Sequence, residues 1–188
     1  LVLVTVGTGI GGGLVLGGRL YHGQHGFAGE LGHLIVDPDG DLCACGNHGC
    51  LEAMASGSTL GRLGREAAAA DPGGRLAALA ADAGGLVTGE VVFAAATEGD
   101  KAALALFERI GHWLGVGIAS LVTIFDPDLV VIGGGVAATG ELLLAPARSS
   151  FERYVHGRAH RDLPPVVPAR LGPDAGLVGA ATLALARG

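Results

Sequence analysis

The chain has 188 residues, of which 49% are hydrophobic, and a net charge of −6. The acidic balance disfavours a nucleic-acid surface, because the one arginine-rich stretch, residues 148–170, also contains acids and carries no recognition motif. The most apolar stretch, residues 111–125, is broken by polar side chains and too short to span a bilayer. We therefore expect neither a nucleic-acid partner nor a membrane.

A glycine-rich turn opens the chain. The apolar, β-branched residues 1–6 predict a strand, and Gly7-Thr8-Gly9-Ile10-Gly11-Gly12-Gly13 follows before a second apolar run at 14–16. Glycines allow backbone amides to approach an anion, and the Thr8 hydroxyl adds a donor. Phosphate binding and a simple tight turn are equally good interpretations here, because the spacing fits neither the dinucleotide fingerprint nor the Walker loop.

The three cysteines and one histidine form a candidate metal site. The four candidate ligands are His33, Cys43, Cys45 and Cys50. Buried thiols, or one disulfide and a free thiol, are the alternatives, but Cys-x-Cys is too short for an ordinary disulfide. Gly46 and Gly49 permit the turns that would bring the thiolates round one ion. The pattern predicts one structural zinc ion, whose thiolate ligands suit a reducing, cytoplasmic compartment.

Two carboxylates flank these ligands. Glu30 precedes His33 by three residues, and Glu52 follows the last cysteine by two. A metal on one imidazole nitrogen leaves the other as an N–H donor among these acceptors. Donors and acceptors at close range are typical of a pocket for sugar hydroxyls. A glycosidase is the alternative, but it requires one protonated acid at a defined separation from the other.

Helix signals fill the middle of the chain. Candidate N-caps precede three predicted helices: Ser56 or Ser58, Thr88, and Asp100. The helix after Asp100 is the longest, and its apolar residues recur at helical spacing toward a core before Asp126-Pro127 ends it. Further on, we predict a helix over 141–156, a strand over 166–171 and a helix over 176–187, within one α/β domain.

A second junction of a strand with glycines lies near residue 130. Residues 129–132 predict a fully buried strand, and Gly133-Gly134-Gly135 follows at its carboxyl end before a helix. Ligands of open α/β sheets collect at such strand ends. The two separate junctions are consistent with one nucleotide clamped between them.

These motifs together resemble the ROK family of sugar kinases and sugar-responsive repressors, most of all its bacterial glucokinases. The resemblance implies an actin-like, ribonuclease H-like ATPase fold of the α/β class, in which residues 1–188 form the larger carboxyl-terminal lobe with a zinc loop. It implies zinc on the four ligands above and hexose hydroxyls on Glu30, His33 and Glu52. It also implies ATP phosphates near Thr8 and Gly9, and the adenosine near Gly133, Gly134 and Gly135.

The resemblance also implies an activity. We expect ATP-dependent phosphorylation of a hexose, glucose to glucose 6-phosphate, with ATP and Mg²⁺ as co-substrate, structural zinc, and assembly into a homo-dimer or tetramer. The effector domain of a sugar-sensing repressor is the alternative, which the intact Gly-Thr-Gly turn disfavours. The family's catalytic aspartate precedes the Gly-Thr-Gly strand, so we expect the base upstream of Leu1 and assign no catalytic residue within this chain.

Overall fold

A mixed five-stranded sheet forms the centre of the computed structural model, which describes residues 1–185. The strands lie in the order β3-β2-β1-β4-β5. Strands β1, β2 and β3 are antiparallel neighbours, whereas β1, β4 and β5 run parallel. The strands are β1 Val2–Val6, β2 Ile10–Leu16, β3 Arg19–Leu20, β4 Val130–Gly133 and β5 Val166–Pro168.

The register of β1 brings the two glycine junctions together. Its alternate residues Val2, Val4 and Val6 are fully buried, as expected for a central strand. Thr5 pairs with Gly133 in the parallel ladder with β4, so both strands end at the same edge of the sheet. The turn after β1 and the glycines after β4 are therefore neighbours, as the sequence predicts.

The described residues contain seven α-helices. They are α1 Leu51–Ala55, α2 Gly57–Ala70, α3 Arg75–Asp82, α4 Gly89–Thr97, α5 Lys101–Phe125, α6 Glu141–Tyr154 and α7 Ala175–Leu185. The predicted caps are confirmed, because Ser56, Thr88 and Asp100 accept hydrogen bonds from backbone N–H groups three residues later at 3.2, 3.4 and 2.8 Å. Ser58 lies inside α2 and is not its cap.

Helix α5 is the core helix of the molecule. Its residues Phe107, Ile110, Leu114 and Ile118 are at most 1% exposed. A Cβ atom at Gly115 would lie 2.4 Å from the Ala147 carbonyl oxygen, so glycine allows α5 to pack closely against α6. Although α5 has 25 residues, no helix within residues 1–185 is both long and apolar enough to cross a membrane.

Two predicted ends differ from the structure. Strand β5 ends at Pro168, well before residue 171, because its partner β4 ends at Gly133 and offers no further ladder. Helix α6 ends at Tyr154, and Val155 is already extended. Helix α7 is described as far as Leu185, and its predicted end at residue 187 lies outside the described residues. Helix α7 buries no residue, and its leucines are exposed.

Candidate functional site

The four candidate metal ligands converge at one point. Their donor atoms all lie within 4.8 Å of one another. Cys43 Sγ is 3.7 Å from His33 Nδ1, and Cys45 Sγ is 3.6 Å from Cys50 Sγ. Four ligand atoms arranged tetrahedrally about 2.3 Å from a zinc ion lie about 3.7 Å from one another. The donor set and its spacing therefore fit a structural zinc ion, with His33 Nδ1 as the ligating nitrogen.

Two glycines shape the loop that carries the cysteines. Gly46 and Gly49 have φ angles of 93° and 63°, in the left-handed region that favours glycine. A Cβ atom at Gly49 would lie 1.4 Å from the Asp37 carbonyl oxygen. The Gly46 N–H donates to the Cys43 carbonyl at 2.9 Å, which closes the turn between the first two cysteines. The predicted role of these glycines is confirmed.

The thiols of the cluster have different surroundings. Cys50 is fully buried, whereas Cys45 is exposed. Burial raises the pKa of the Cys50 thiol to about 12. A hydrogen bond from the Asn47 backbone N–H lowers the pKa of Cys45 to about 7. Because a divalent cation deprotonates the thiols that coordinate it, Cys50 is the ligand whose ionised form depends most on a bound metal.

The glycine turn, defined as Gly7–Gly9, is a tight connection between β1 and β2. The Gly7 N–H donates to the Gly9 carbonyl at 2.9 Å. Two amides of the first turn of α2 hold it from outside: Gly57 donates to the Gly7 carbonyl at 2.7 Å, and Ser58 to the Thr8 carbonyl at 3.2 Å. The motif's last three glycines lie in β2, paired with β1, and are not part of the turn.

Glu52 reaches the glycine turn from α1. The Ile10 N–H donates to Glu52 Oε2 at 2.8 Å. A Cβ atom at Gly9 would lie 2.2 Å from the same oxygen, so the carboxylate approaches as closely as it does because residue 9 is glycine. A pocket of about 420 Å³ opens beside this contact, with Thr8, Gly9 and Glu52 in its lining.

The other two residues predicted to bind sugar lie on a segment that also packs against Ile10. Glu30 immediately precedes a short 3-10 turn, Leu31–His33, and His33 is its last residue; both are exposed. A Cβ atom at Gly32 would lie 2.1 Å from the Ile10 carbonyl oxygen, so this turn packs against the start of β2. Glu30 and His33 lie outside the lining of the small pocket. Both segments that carry the candidate carboxylates therefore contact Ile10.

A larger cleft, of about 670 Å³, opens at the carboxyl ends of β1 and β4. Thr8 from the first junction and Gly135 from the second both line it. Gly134 has a φ of 90°, and a Cβ atom there would lie 2.4 Å from the Val6 carbonyl oxygen, so glycine lets the end of β4 approach β1. Gly133 is buried, and neither Gly133 nor Gly134 belongs to the cleft's lining.

Helices α2 and α4 form the far wall of the cleft. No sequence pattern links either helix to ligand binding. Helix α2 contributes Arg65, whose Nη1 donates to the Val87 carbonyl at 3.3 Å. Helix α4 contributes Glu90 and Phe93. The hydrogen bond from the Thr88 side chain lowers the pKa of Glu90, which favours its charged form. The sequence signal at Thr88 predicts only a helix cap, and Phe93 carries no signal beyond its hydrophobicity.

Comparison with known proteins identifies this architecture. The sequence model described as the ROK family matches residues 1–187. The chain is 40% identical over 186 residues to a glucokinase of Streptomyces coelicolor, an alignment that covers 98% of the chain and 59% of that protein. It is 43% identical to a ROK family glucokinase from Streptomyces griseus solved in complex with glucose and AMPPNP, with a TM-score of 0.88 over 97% of the chain and 59% of that structure.

A regulatory protein shares the same fold. A ROK family transcriptional regulator, a homologue of the E. coli MLC protein, matches with a TM-score of 0.81 and 34% identity, over 96% of the chain and 44% of that structure. The sheet and its helices have the actin-like ATPase fold. The chain belongs to the ROK family. It spans 59% of the length of the S. coelicolor glucokinase that it matches.

Proposed function

We propose that this chain is the carboxyl-terminal lobe of a kinase that transfers the γ-phosphoryl group of ATP to a hexose, glucose at its 6-hydroxyl. One observation carries the proposal: Thr8 lines both the large cleft and the small carboxylate pocket. A phosphoryl donor in the first cavity and an acceptor hydroxyl in the second would meet at this residue. Such proximity is the main requirement of phosphoryl transfer.

The large cleft suits a nucleotide. In our proposal the phosphates lie at Thr8 and Gly9, and the adenosine lies between the glycines at 133–135 and the wall formed by α2 and α4. The apolar face of Phe93 offers a surface for a base. Mg²⁺ bound with ATP would neutralise charge that develops on the transferred group. The similarity to a glucokinase that binds glucose and AMPPNP supports this assignment.

The small pocket, together with the neighbouring 3-10 turn that carries Glu30 and His33, suits sugar hydroxyls and is called the hexose pocket. We assign Glu30 and Glu52 as acceptors, with His33 as a donor through its Nε2–H, since Nδ1 faces the cysteines. Zinc on His33 and the three cysteines would order the loop and, being fully coordinated, would leave no position for a reactive water. A buried polar group left unpaired costs about 1–3 kcal/mol, so this pocket can select among hexoses.

The remaining chemistry lies outside these residues in our proposal. The resemblance to ROK kinases assigns deprotonation of the acceptor hydroxyl to an aspartate upstream of Leu1. We also propose a cytoplasmic homo-oligomer, because thiolate ligands persist in a reducing compartment and the resemblance implies a dimer or tetramer. No residue of this chain is proposed to act as the base.

The direct test is a coupled assay for glucose 6-phosphate with the full-length protein, ATP and Mg²⁺. We expect turnover that saturates with both substrates. The Thr8→Val variant removes the hydroxyl at the meeting point of the cavities, and Ser120→Ala, on helix α5 and outside the lining of both cavities, is the control. The proposal fails if the parent binds glucose and nucleotide but produces no sugar phosphate.

A sugar-sensing repressor is the second candidate function. The regulator with a TM-score of 0.81 supports it, because the same fold serves a protein of that class. The two candidates differ in what glucose does. A kinase consumes ATP when glucose is added, whereas a repressor changes its affinity for DNA and turns nothing over.

A further inference from the structure

Glu52 makes a contact that sugar binding does not require. Leu1 and Val15 exchange two backbone hydrogen bonds, of 3.0 Å each, across the pair of strands β1 and β2. Hydrogen-bonded and non-hydrogen-bonded pairs alternate along an antiparallel ladder. The pair formed by Val6 and Ile10 is therefore non-hydrogen-bonded, and the Ile10 N–H points away from β1.

The Glu52 carboxylate is the partner of this amide. Ile10 is only 6% exposed, so its N–H has little access to water. The hydrogen bond of 2.8 Å to Glu52 Oε2 satisfies it directly after the glycine turn. Leaving a buried amide unpaired is costly, so this bond holds the chain where the turn joins β2.

The same carboxylate lies next to the metal ligands in the chain. Glu52 follows the ligand Cys50 by two residues, within the first turn of α1. The Leu51 N–H donates to the Leu34 carbonyl at 2.8 Å, which ties the start of α1 to the segment after His33. A continuous set of contacts therefore runs from the metal ligands through Glu52 to the glycine turn.

We infer that Glu52 is a positioning residue for the glycine turn, so that nucleotide affinity depends on this carboxylate even when no sugar is bound. One oxygen fixes the turn, and the other remains for the pocket. The inference rests on the proposed function of the turn as the phosphate site. The inference gives Glu52 two roles, one at the glycine turn and one in the hexose pocket. Glu30 has only the second role.

Three variants test the inference in the full-length protein. Glu52→Ala removes both oxygens, whereas Glu52→Gln keeps a carbonyl oxygen of the same reach that can accept from Ile10. Glu30→Ala is the matched truncation of the other carboxylate. Calorimetric titration with Mg²⁺ and AMPPNP, without sugar, measures nucleotide affinity alone. We expect Glu52→Ala to weaken binding about tenfold, and the other two variants to stay within about twofold of the parent.

A second readout does not depend on the nucleotide. Amide hydrogen exchange at Ile10 should speed up in Glu52→Ala and stay slow in Glu52→Gln and Glu30→Ala. Unchanged exchange in Glu52→Ala would overturn the inference whatever the protein binds. Faster exchange with unchanged AMPPNP affinity would overturn the link from the turn to the nucleotide. If the parent bound no nucleotide, the proposed function would fail, and the inferred dependence of nucleotide affinity would fail with it.

A double-mutant cycle tests whether residue 9 and Glu52 are in direct contact. A Cβ atom at residue 9 would lie 2.2 Å from Glu52 Oε2, so Gly9→Ala must displace the carboxylate in the parent. In the Glu52→Ala background this obstacle is gone. We expect Gly9→Ala to reduce AMPPNP affinity clearly in the parent and much less in Glu52→Ala. Equal fold-changes in the two backgrounds would contradict a direct contact.

Discussion

The metal loop, defined as residues 34–49, and the large cleft are stabilised in different ways. Between residues 34 and 49, the side chain of Cys43 is the only one that is buried, so little apolar packing orders this loop. The walls of the cleft are helices with buried residues such as Leu60 of α2 and Val92 of α4. In our proposal, bonds to a metal ion therefore maintain the loop, whereas core packing maintains the cleft.

This difference means that the two cavities can be perturbed separately. Metal binding contributes about 10–16 kcal/mol to the folding of small zinc peptides. Metal loss should therefore disorder the loop and leave the cleft walls folded. The glycine turn is the exception, because Glu52 ties it to the metal loop while α2 ties it to the cleft.

The largest expected effect is a complete loss of turnover in residues 1–188 expressed alone. Both cavities lie within this chain, but in our proposal the base does not, so the acceptor hydroxyl is not deprotonated even when both ligands are bound. A coupled glucose 6-phosphate assay, with the full-length protein as control, measures this. Turnover of about 1–100 per second from residues 1–188 would place the base within this chain.

A smaller effect is expected from Glu30→Gln in the full-length protein. The amide weakens a charge-assisted hydrogen bond to a sugar hydroxyl, so the KM for glucose should rise roughly 10–100-fold while the KM for ATP stays nearly unchanged. Glu108→Gln, an exposed glutamate on α5, is the matched control. Equal glucose KM values for Glu30→Gln and the parent would remove Glu30 from the pocket.

The smallest effect concerns the support of the cleft wall. Arg75 at the start of α3 donates to Glu98 at the end of α4, with Nη2 to Oε1 at 3.1 Å. This hydrogen bond lowers the pKa of Glu98 below its usual value of 4.5. The pair therefore stabilises the fold above pH 4.5, and the effect is lost as the pH falls through the lowered pKa.

Glu98→Gln tests the sign of this effect. Both side chains are about half exposed, so water screens the pair and the loss is small. Thermal unfolding at pH 7 should show a slightly lower Tm than the parent, and the difference should shrink as the pH falls below 4.5 and through the lowered pKa of Glu98. A difference that persisted in acid would mean that Gln acts by packing rather than by charge.

The sequence predicts the local features of this molecule well. The cap at Asp100 and the turn at Gly46 depend on a few neighbouring residues, and the structure confirms both. The convergence of the metal ligands was predictable because their chemistry narrows the choice to one kind of site. The pairing of β2 was harder to predict, because its glycines have the composition of a loop. Only their register with β1 shows that they lie in a strand.

Features that join distant segments could not be predicted. Arg65 and Phe93 reach the cleft because α2 and α4 pack together, and no pattern near either residue indicates this. The hydrogen bond from Ile10 to Glu52 joins residues far apart in the chain, and it depends on which backbone amide the ladder leaves free. Such contacts follow from the packing of whole elements rather than from local propensity.

The central claim is that bound zinc orders the hexose pocket, whereas the large cleft folds without it. The most direct test is removal of the metal from the full-length protein. Cys45→Ser removes an exposed ligand with little change in packing, and His48→Ala alters the same loop outside the ligand set. Elemental analysis measures the zinc content of the parent and both variants, and titrations measure their affinities for glucose and AMPPNP. We predict one zinc per chain in the parent and in His48→Ala, and in Cys45→Ser no zinc, no measurable glucose binding and weakened but detectable AMPPNP binding. Normal glucose affinity in zinc-free protein would contradict the account.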